Sequence, residues 1–181
     1  MIRLFAALAV PDEIGKPLAL RQTGLAGARW HGADALHITL RFFGEVDETT
    51  AEDLDLELTR VAARIADKPL DLTLRGTGAF SEGDRFKAVW AGLTNNEALQ
   101  VLATRCEAAA RRAGLAPEKR KYTPHMTLAY LKGSDPAAVT TWLADHALLR
   151  SEVFSPRQFG LYSSWRTPQG SRYTLERVYR F

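Results

Sequence analysis

Only four histidines occur in the 181 residues, and two of them open the same pattern: His37-Ile-Thr39-Leu and, 88 positions later, His125-Met-Thr127-Leu. With this composition, about one histidine in a hundred would be followed by x-Thr-Leu, and two of four would be so placed less than about once in a thousand. On a strand, alternate residues share a face. His37, Thr39 and Arg41 would then point one way, with Ile38, Leu40 and Phe42 pointing the other. In the second copy His125, Thr127 and Ala129 oppose Met126, Leu128 and Tyr130. Each strand therefore offers an imidazole and a hydroxyl on one side and anchors itself by apolar packing on the other. Two imidazoles with ordinary pKa values near ~6.5 suit a reaction that takes one proton and gives another on opposite sides of a reacting centre. The hydroxyls supply stiff hydrogen-bond donors for oxygens that gain negative charge. In-line displacement at phosphorus has this symmetry and requires no metal.

Other chemistries find less support. Zinc would call for further ligands, and neither motif has an acid at the i+2 or i+4 positions that share the histidine face. No Gly-x-Ser-x-Gly elbow is present, and the glycines at 76, 78 and 83 lack phosphate-loop spacing. His31 and His146 lie outside any matching pattern and read as exposed or loop residues. Cys106, the only cysteine, falls in the helical series Leu99, Leu102, Cys106, Ala109, Ala113 and reads as a small core residue. A single cysteine forms no intrachain disulfide, which fits a reducing compartment, and we expect a cytoplasmic protein.

The elements that must position these residues repeat. "RLFAALAV" (3–10) reads as a buried strand, with Pro11 at the start of a helix. The strand of His37 follows. Thr49 and Glu52 then form a capping-box pair ahead of Leu54, Leu58, Val61 and Ile65. "LDLTLRGTGAF" closes the first unit as a strand. The second unit runs from "RFKAVWAGL" through a helix opened by Thr94 and Glu97 and ended near Gly114. The strand of His125 comes next, then a helix started by Asp135 and Pro136, then "EVFSPRQFGLY". "SRYTLERVYRF" is an added strand. Two β-α-β-α-β units, roughly residues 1–82 and 83–181, therefore make one domain of two related lobes, of class α/β or α+β.

Hydrophobic content of 46% with 25% charged residues is ordinary for a chain with a sizeable core. "MIRLFAALAVPDEI" is too short to span a bilayer. The net charge of +3 is unevenly spread. Residues 47 to 57 carry six acids and no base, residues 111 to 121 five bases and one acid, and the tail from Arg150 six arginines against two acids. Because the basic stretch runs into the second motif, an anionic partner is expected there. A monomer is the default expectation.

The paired motifs resemble the signature of the 2H phosphoesterase superfamily, in particular its bacterial and archaeal RNA 2′,3′-cyclic phosphodiesterases, also called 2′-5′ RNA ligases. The resemblance extends to "RLFAALAVPDEI", "RWHGADALHITLRFFGEV", "GTGAFSEGDRFKAVWAGL", "YTPHMTLAYL" and "FGLYSSWRTPQGSRYTLERVYRF". It implies a bilobal α+β fold with two mainly antiparallel sheets around a central cleft, and no cofactor. It further implies opening of a terminal RNA 2′,3′-cyclic phosphate to a 2′-phosphomonoester, with His37 as proton donor and His125 as proton acceptor. Thr39 and Thr127 would hold the phosphate oxygens. Two other readings stay open: 2′-5′ ligation by the same residues, and a non-catalytic module that binds RNA ends or nucleotides. The family commonly places an arginine where this chain has Tyr130; Arg41, or Arg120 and Lys121, would replace that cation. Phe43 and Tyr130 are candidates for stacking on a base.

Overall fold

The computed structural model describes residues 1–65, 70–167 and 170–181. The first unit supplies β1 (Ile2–Ala9), α1 (Asp12–Ala19), β2 (Ala28–Trp30), a 3₁₀ turn (Ala33–Ala35), β3 (His37–Val46), α2 (Glu48–Ala63) and β4 (Leu74–Glu82). The second supplies β5 (Arg85–Leu93), α3 (Glu97–Arg112), β6 (His125–Leu131), α4 (Pro136–Asp145), β7 (Gln158–Thr167) and β8 (Gly170–Arg180). The class is α+β, with antiparallel pairing throughout.

The strand order is β4-β5-β6-β3-β1-β7-β8, with β2 on the free edge of β6. Up to β7 this order is a palindrome of the repeat: β5 answers β1, β6 answers β3, and β4 answers β7. The last strand of each unit has crossed to the other half. The halves of the sheet are therefore not the halves of the chain, and residue 82 falls at the end of β4, beside the β4–β5 turn. Where two sheets were expected, one ladder joins all eight strands, but its central link is a single pair, Ile38 with Met126. Beyond it β2 occupies the β6 edge, pairing Ala28, Arg29 and Trp30 with Leu131, Tyr130 and Ala129. This leaves β3 and β6 overlapping only at their first residues.

One apolar core runs beneath both halves. Helix α3 packs on β3, α2 on α3 and β8, and α4 on β4 and β5. Leu99, Leu102, Ala103, Cys106, Ala109 and Ala110 of α3 are buried at the three-and-four spacing of one helix face. Glu57 on α2 bonds both Arg60 and Arg112, tying α2 to α3. Two helix starts differ from expectation. Asp47, not Thr49, caps α2 by accepting from the Thr50 N–H at 2.8 Å. Asn96, not Thr94, caps α3, because its amide also donates to the Asp71 carbonyl at 2.8 Å and is fixed there. Among the described residues no helix is long and apolar enough to cross a membrane.

Candidate active site

The central Ile38–Met126 pair joins the second residues of the two motifs. In an antiparallel pair residues directly opposite share a face, so this register sets His37 across from Thr127 and Thr39 across from His125. Ile38 and Met126 are fully buried on the other side. The four motif side chains therefore converge on one face, with diagonal neighbours on such a pair roughly 7–8 Å apart between α-carbons. The apolar residue of each motif is the hinge pin that brings the two histidines together.

Both imidazoles are oriented in the same way. His37 Nδ1 lies 2.8 Å from the Ala35 carbonyl, and His125 Nδ1 lies 2.7 Å from the Thr123 carbonyl, each two residues upstream. A carbonyl only accepts, so Nδ1 carries the hydrogen and Nε2 is the atom that gives or takes a proton. Aromatic rings fix each imidazole plane. Phe5 and Tyr173 lie 5.0 Å from His37, Tyr173 edge-on, while Phe80 meets His125 edge-on at 4.7 Å and Trp90 stands at 6.1 Å. Trp90 can lie across β4 only because residue 78 is glycine: a Cβ there would come within 2.2 Å of the indole. The Tyr122 hydroxyl donates to the Thr39 carbonyl at 3.1 Å and steadies β3 from below.

Burial pushes the His37 pKa down to about 4, opposed by the bond to Ala35 and helped by the neighbouring His31 and His125. Burial also lowers His125, against its bond to Thr123. Both rings are thus neutral at pH 7 in the free protein. An anion placed between them reverses that balance, since it favours the charged form of each.

A hollow of about 330 Å³ opens beside His37 and Thr39. Strand β1 lends it Arg3 and Phe5, β3 lends Phe42, and β6 lends Tyr130. Ser164 and Arg166 from β7, with Ser171 and Tyr173 from β8, complete the wall. His125 lies outside this wall, on the aromatic side formed by Phe80 and Trp90.

Arg41 is not where alternation placed it. Thr39 pairs with Ala7, but Ala6 pairs with Arg41, so Leu40 is an extra residue and β3 bulges there. The bulge turns Arg41 to the face of Ile38 and brings Phe42 into the hollow. Arg41 is bonded to Glu107 of α3 and to the carbonyls of Phe42 and Ala116, with Glu118 at 3.7 Å. It ties the loop after α3 to the sheet and does not face the motif histidines. Arg120 and Lys121 are exposed, and neither lines the hollow. Phe43 is buried in the core, whereas Tyr130 is about half exposed and does reach the cleft.

His31 lies in a loop as read, yet it is packed against Tyr130 at 5.4 Å and sits 6.4 Å from His37. Burial lowers its pKa. His146 caps α4 and stacks on Trp142 at 4.2 Å, far from this chemistry in role. Cys106 is buried in α3, and burial pushes its thiol up, as a core residue requires. The residues that sequence reasoning missed are Arg3, Phe5, Arg166, Tyr173, Phe80 and Trp90. One signal was legible: Arg3 and Phe5 alternate on a strand that is otherwise small and aliphatic.

The sequence profile of the 2′-5′ RNA ligase superfamily matches residues 10–164. The chain belongs to this superfamily. Superfamily relatives include a protein from Methanothermobacter thermautotrophicus named RNA 2′,3′-cyclic phosphodiesterase, 32% identical over 190 residues that cover 99% of this chain and 98% of the relative. A protein of the same name from Methanocaldococcus jannaschii is 28% identical over 96% of this chain and 98% of its own. Among solved structures, that of E. coli LigT complexed with 3′-AMP superposes with a TM-score of 0.76 at 26% identity, covering 99% of this chain and 98% of the other.

Proposed function

We propose that this protein opens the 2′,3′-cyclic phosphate at an RNA end to a 2′-phosphomonoester, using His37 and His125 as a paired acid and base and no metal. The observation that carries the reading is the matched pair of Nδ1–carbonyl bonds on either side of the Ile38–Met126 link, which leaves two Nε2 atoms for one substrate. The names of the relatives, RNA 2′,3′-cyclic phosphodiesterase, support the substrate class. Two imidazoles, each with Nδ1 bound to a carbonyl and Nε2 free of it, provide for both proton transfers that the reaction needs.

The chemistry follows from the geometry. The cyclic phosphate enters between the two rings, and its negative charge raises the pKa of both. His125 Nε2 takes a proton from water while the water oxygen bonds to phosphorus. The bond from phosphorus to the 3′ oxygen breaks on the opposite side, and the His37 Nε2 proton passes to that oxygen. Which histidine plays which part comes from the family resemblance; the near two-fold arrangement alone is indifferent to it. The hydroxyls of Thr39 and Thr127 donate to the non-bridging oxygens, where charge accumulates in the transition state. General acid–base catalysis of this kind contributes roughly 10²–10⁴-fold for each group.

The test is product analysis. An RNA ending in a 2′,3′-cyclic phosphate, incubated with the protein in excess EDTA, is expected to give only a 2′-phosphomonoester end. A 3′-phosphomonoester, or activity abolished by EDTA and restored by a divalent ion, would overturn the assignment.

A further inference from the structure

The two walls of the cleft differ in chemistry despite their related folds. Beside His125 stand Phe80 and Trp90. Beside His37 the hollow holds two guanidinium groups, Arg3 and Arg166. The Arg3 guanidinium carbon lies over the Phe42 ring, 4.7 Å from its centroid, a cation–π contact that favours this position. Among the described residues no carboxylate pairs with Arg3 or Arg166, whereas Arg41, which the bulge turns away, is paired with Glu107. Both guanidinium groups are thus left without an ion pair among the described residues, with Glu45 standing across the ladder from Arg3, and Ser164 and Ser171 add hydroxyl donors beside them.

The direction of the reaction says what this hollow receives. In-line attack puts water on one side of phosphorus and the departing 3′ oxygen on the other. With His37 as the donor to that oxygen, the ribose lies on the His37 side, and so does everything attached to it. We infer that the hollow seats the terminal nucleotide and that Arg3 and Arg166 bind the phosphate on its 5′ side. The enzyme then recognises two anionic groups one nucleotide apart. Its preferred substrate is an RNA end, or a nucleoside 2′,3′-cyclic phosphate bearing a 5′-phosphate, over the 5′-hydroxyl nucleoside. This inference rests on the proposed reaction.

The experiment compares kcat/KM for adenosine 2′,3′-cyclic phosphate with and without a 5′-phosphate, using wild type, R3Q, R166Q and the double variant. Charge-assisted hydrogen bonds to the added phosphate predict that it raises wild-type kcat/KM by at least about tenfold. The gain should shrink at high salt. The preference should fall in each single variant and vanish in the double. Equal wild-type kcat/KM on the two substrates overturns the inference while leaving the reaction in place, and so does a double variant that keeps the full preference. R166Q alters an exposed side chain and guards against a folding defect in R3Q. Turnover of neither substrate by wild type would overturn the reaction itself, and this inference with it.

Discussion

Both motif histidines have pKa values pushed below 6.5, one of them to about 4, chiefly by burial. The perturbation to apply is pH, and the quantity to read is kcat/KM, which reports the ionisations of the free enzyme. If one imidazole must be charged and the other neutral, the profile is a bell whose two limbs lie at these lowered values, and both fall below pH 6.5. Above the upper limb the rate drops tenfold per pH unit, so at pH 8 kcat/KM should be at least about 30-fold below its maximum, from the 1.5 units that separate pH 8 from 6.5. The kcat profile should lie at higher pH, because the bound phosphate favours both imidazolium forms. The assay is initial-rate hydrolysis of a cyclic-phosphate dinucleotide from pH 4 to 9 at constant ionic strength. An optimum of kcat/KM at pH 7.5 or above, or a flat profile from pH 5 to 9, refutes the reasoning.

Three further outcomes are expected. A histidine with a lowered folded pKa binds fewer protons in the folded than in the unfolded state between about pH 4 and 6.5, so stability rises with pH through that window and is lost as the pH is lowered through it. For His37 the loss between pH 7 and 5 is about 1–2 kcal/mol, allowing for its partial exposure, and urea unfolding of wild type against H37Q measures it. In G78A the new Cβ collides with Trp90 and displaces the wall beside His125; kcat/KM should fall by about 10–100-fold while far-ultraviolet circular dichroism is unchanged. R41A removes the ties to Glu107 and to the Ala116 carbonyl, and it should lower unfolding free energy by about 1–3 kcal/mol with KM unaltered. A large rise in KM would put Arg41 back in the substrate site.

The motif strands and their buried partners were legible because a period of two needs only local sequence: Ile38, Leu40, Met126 and Leu128 are all in the core as that period requires. Up to β7 the strand order is symmetric about the β3–β6 link, an order that follows from long-range pairing and was not read from the sequence. What local sequence could not carry was set by pairing between distant segments. The bulge at Leu40 exists because β3 must match β1, and it alone decides that Phe42 rather than Arg41 enters the cleft. Strand β2 is three residues long and pairs with β6 among the described residues, too short for its sequence to show a period. The cap of α3 moved from Thr94 to Asn96 because a carbonyl 25 residues away holds the asparagine. Arg3 and Phe5 stand out by their alternation on β1, but the hollow they line is completed only when β7 and β8 are folded beside them.

The central claim is that His37 and His125 act together on one phosphorus. Single-turnover rates of H37Q, H125Q and the double variant on a cyclic-phosphate RNA test it directly. Groups that work as a unit predict a loss of at least about 100-fold in each single variant, with the double variant little worse than either. A single variant that turns over at the wild-type rate, or a double loss equal to the product of two independent losses, contradicts the account.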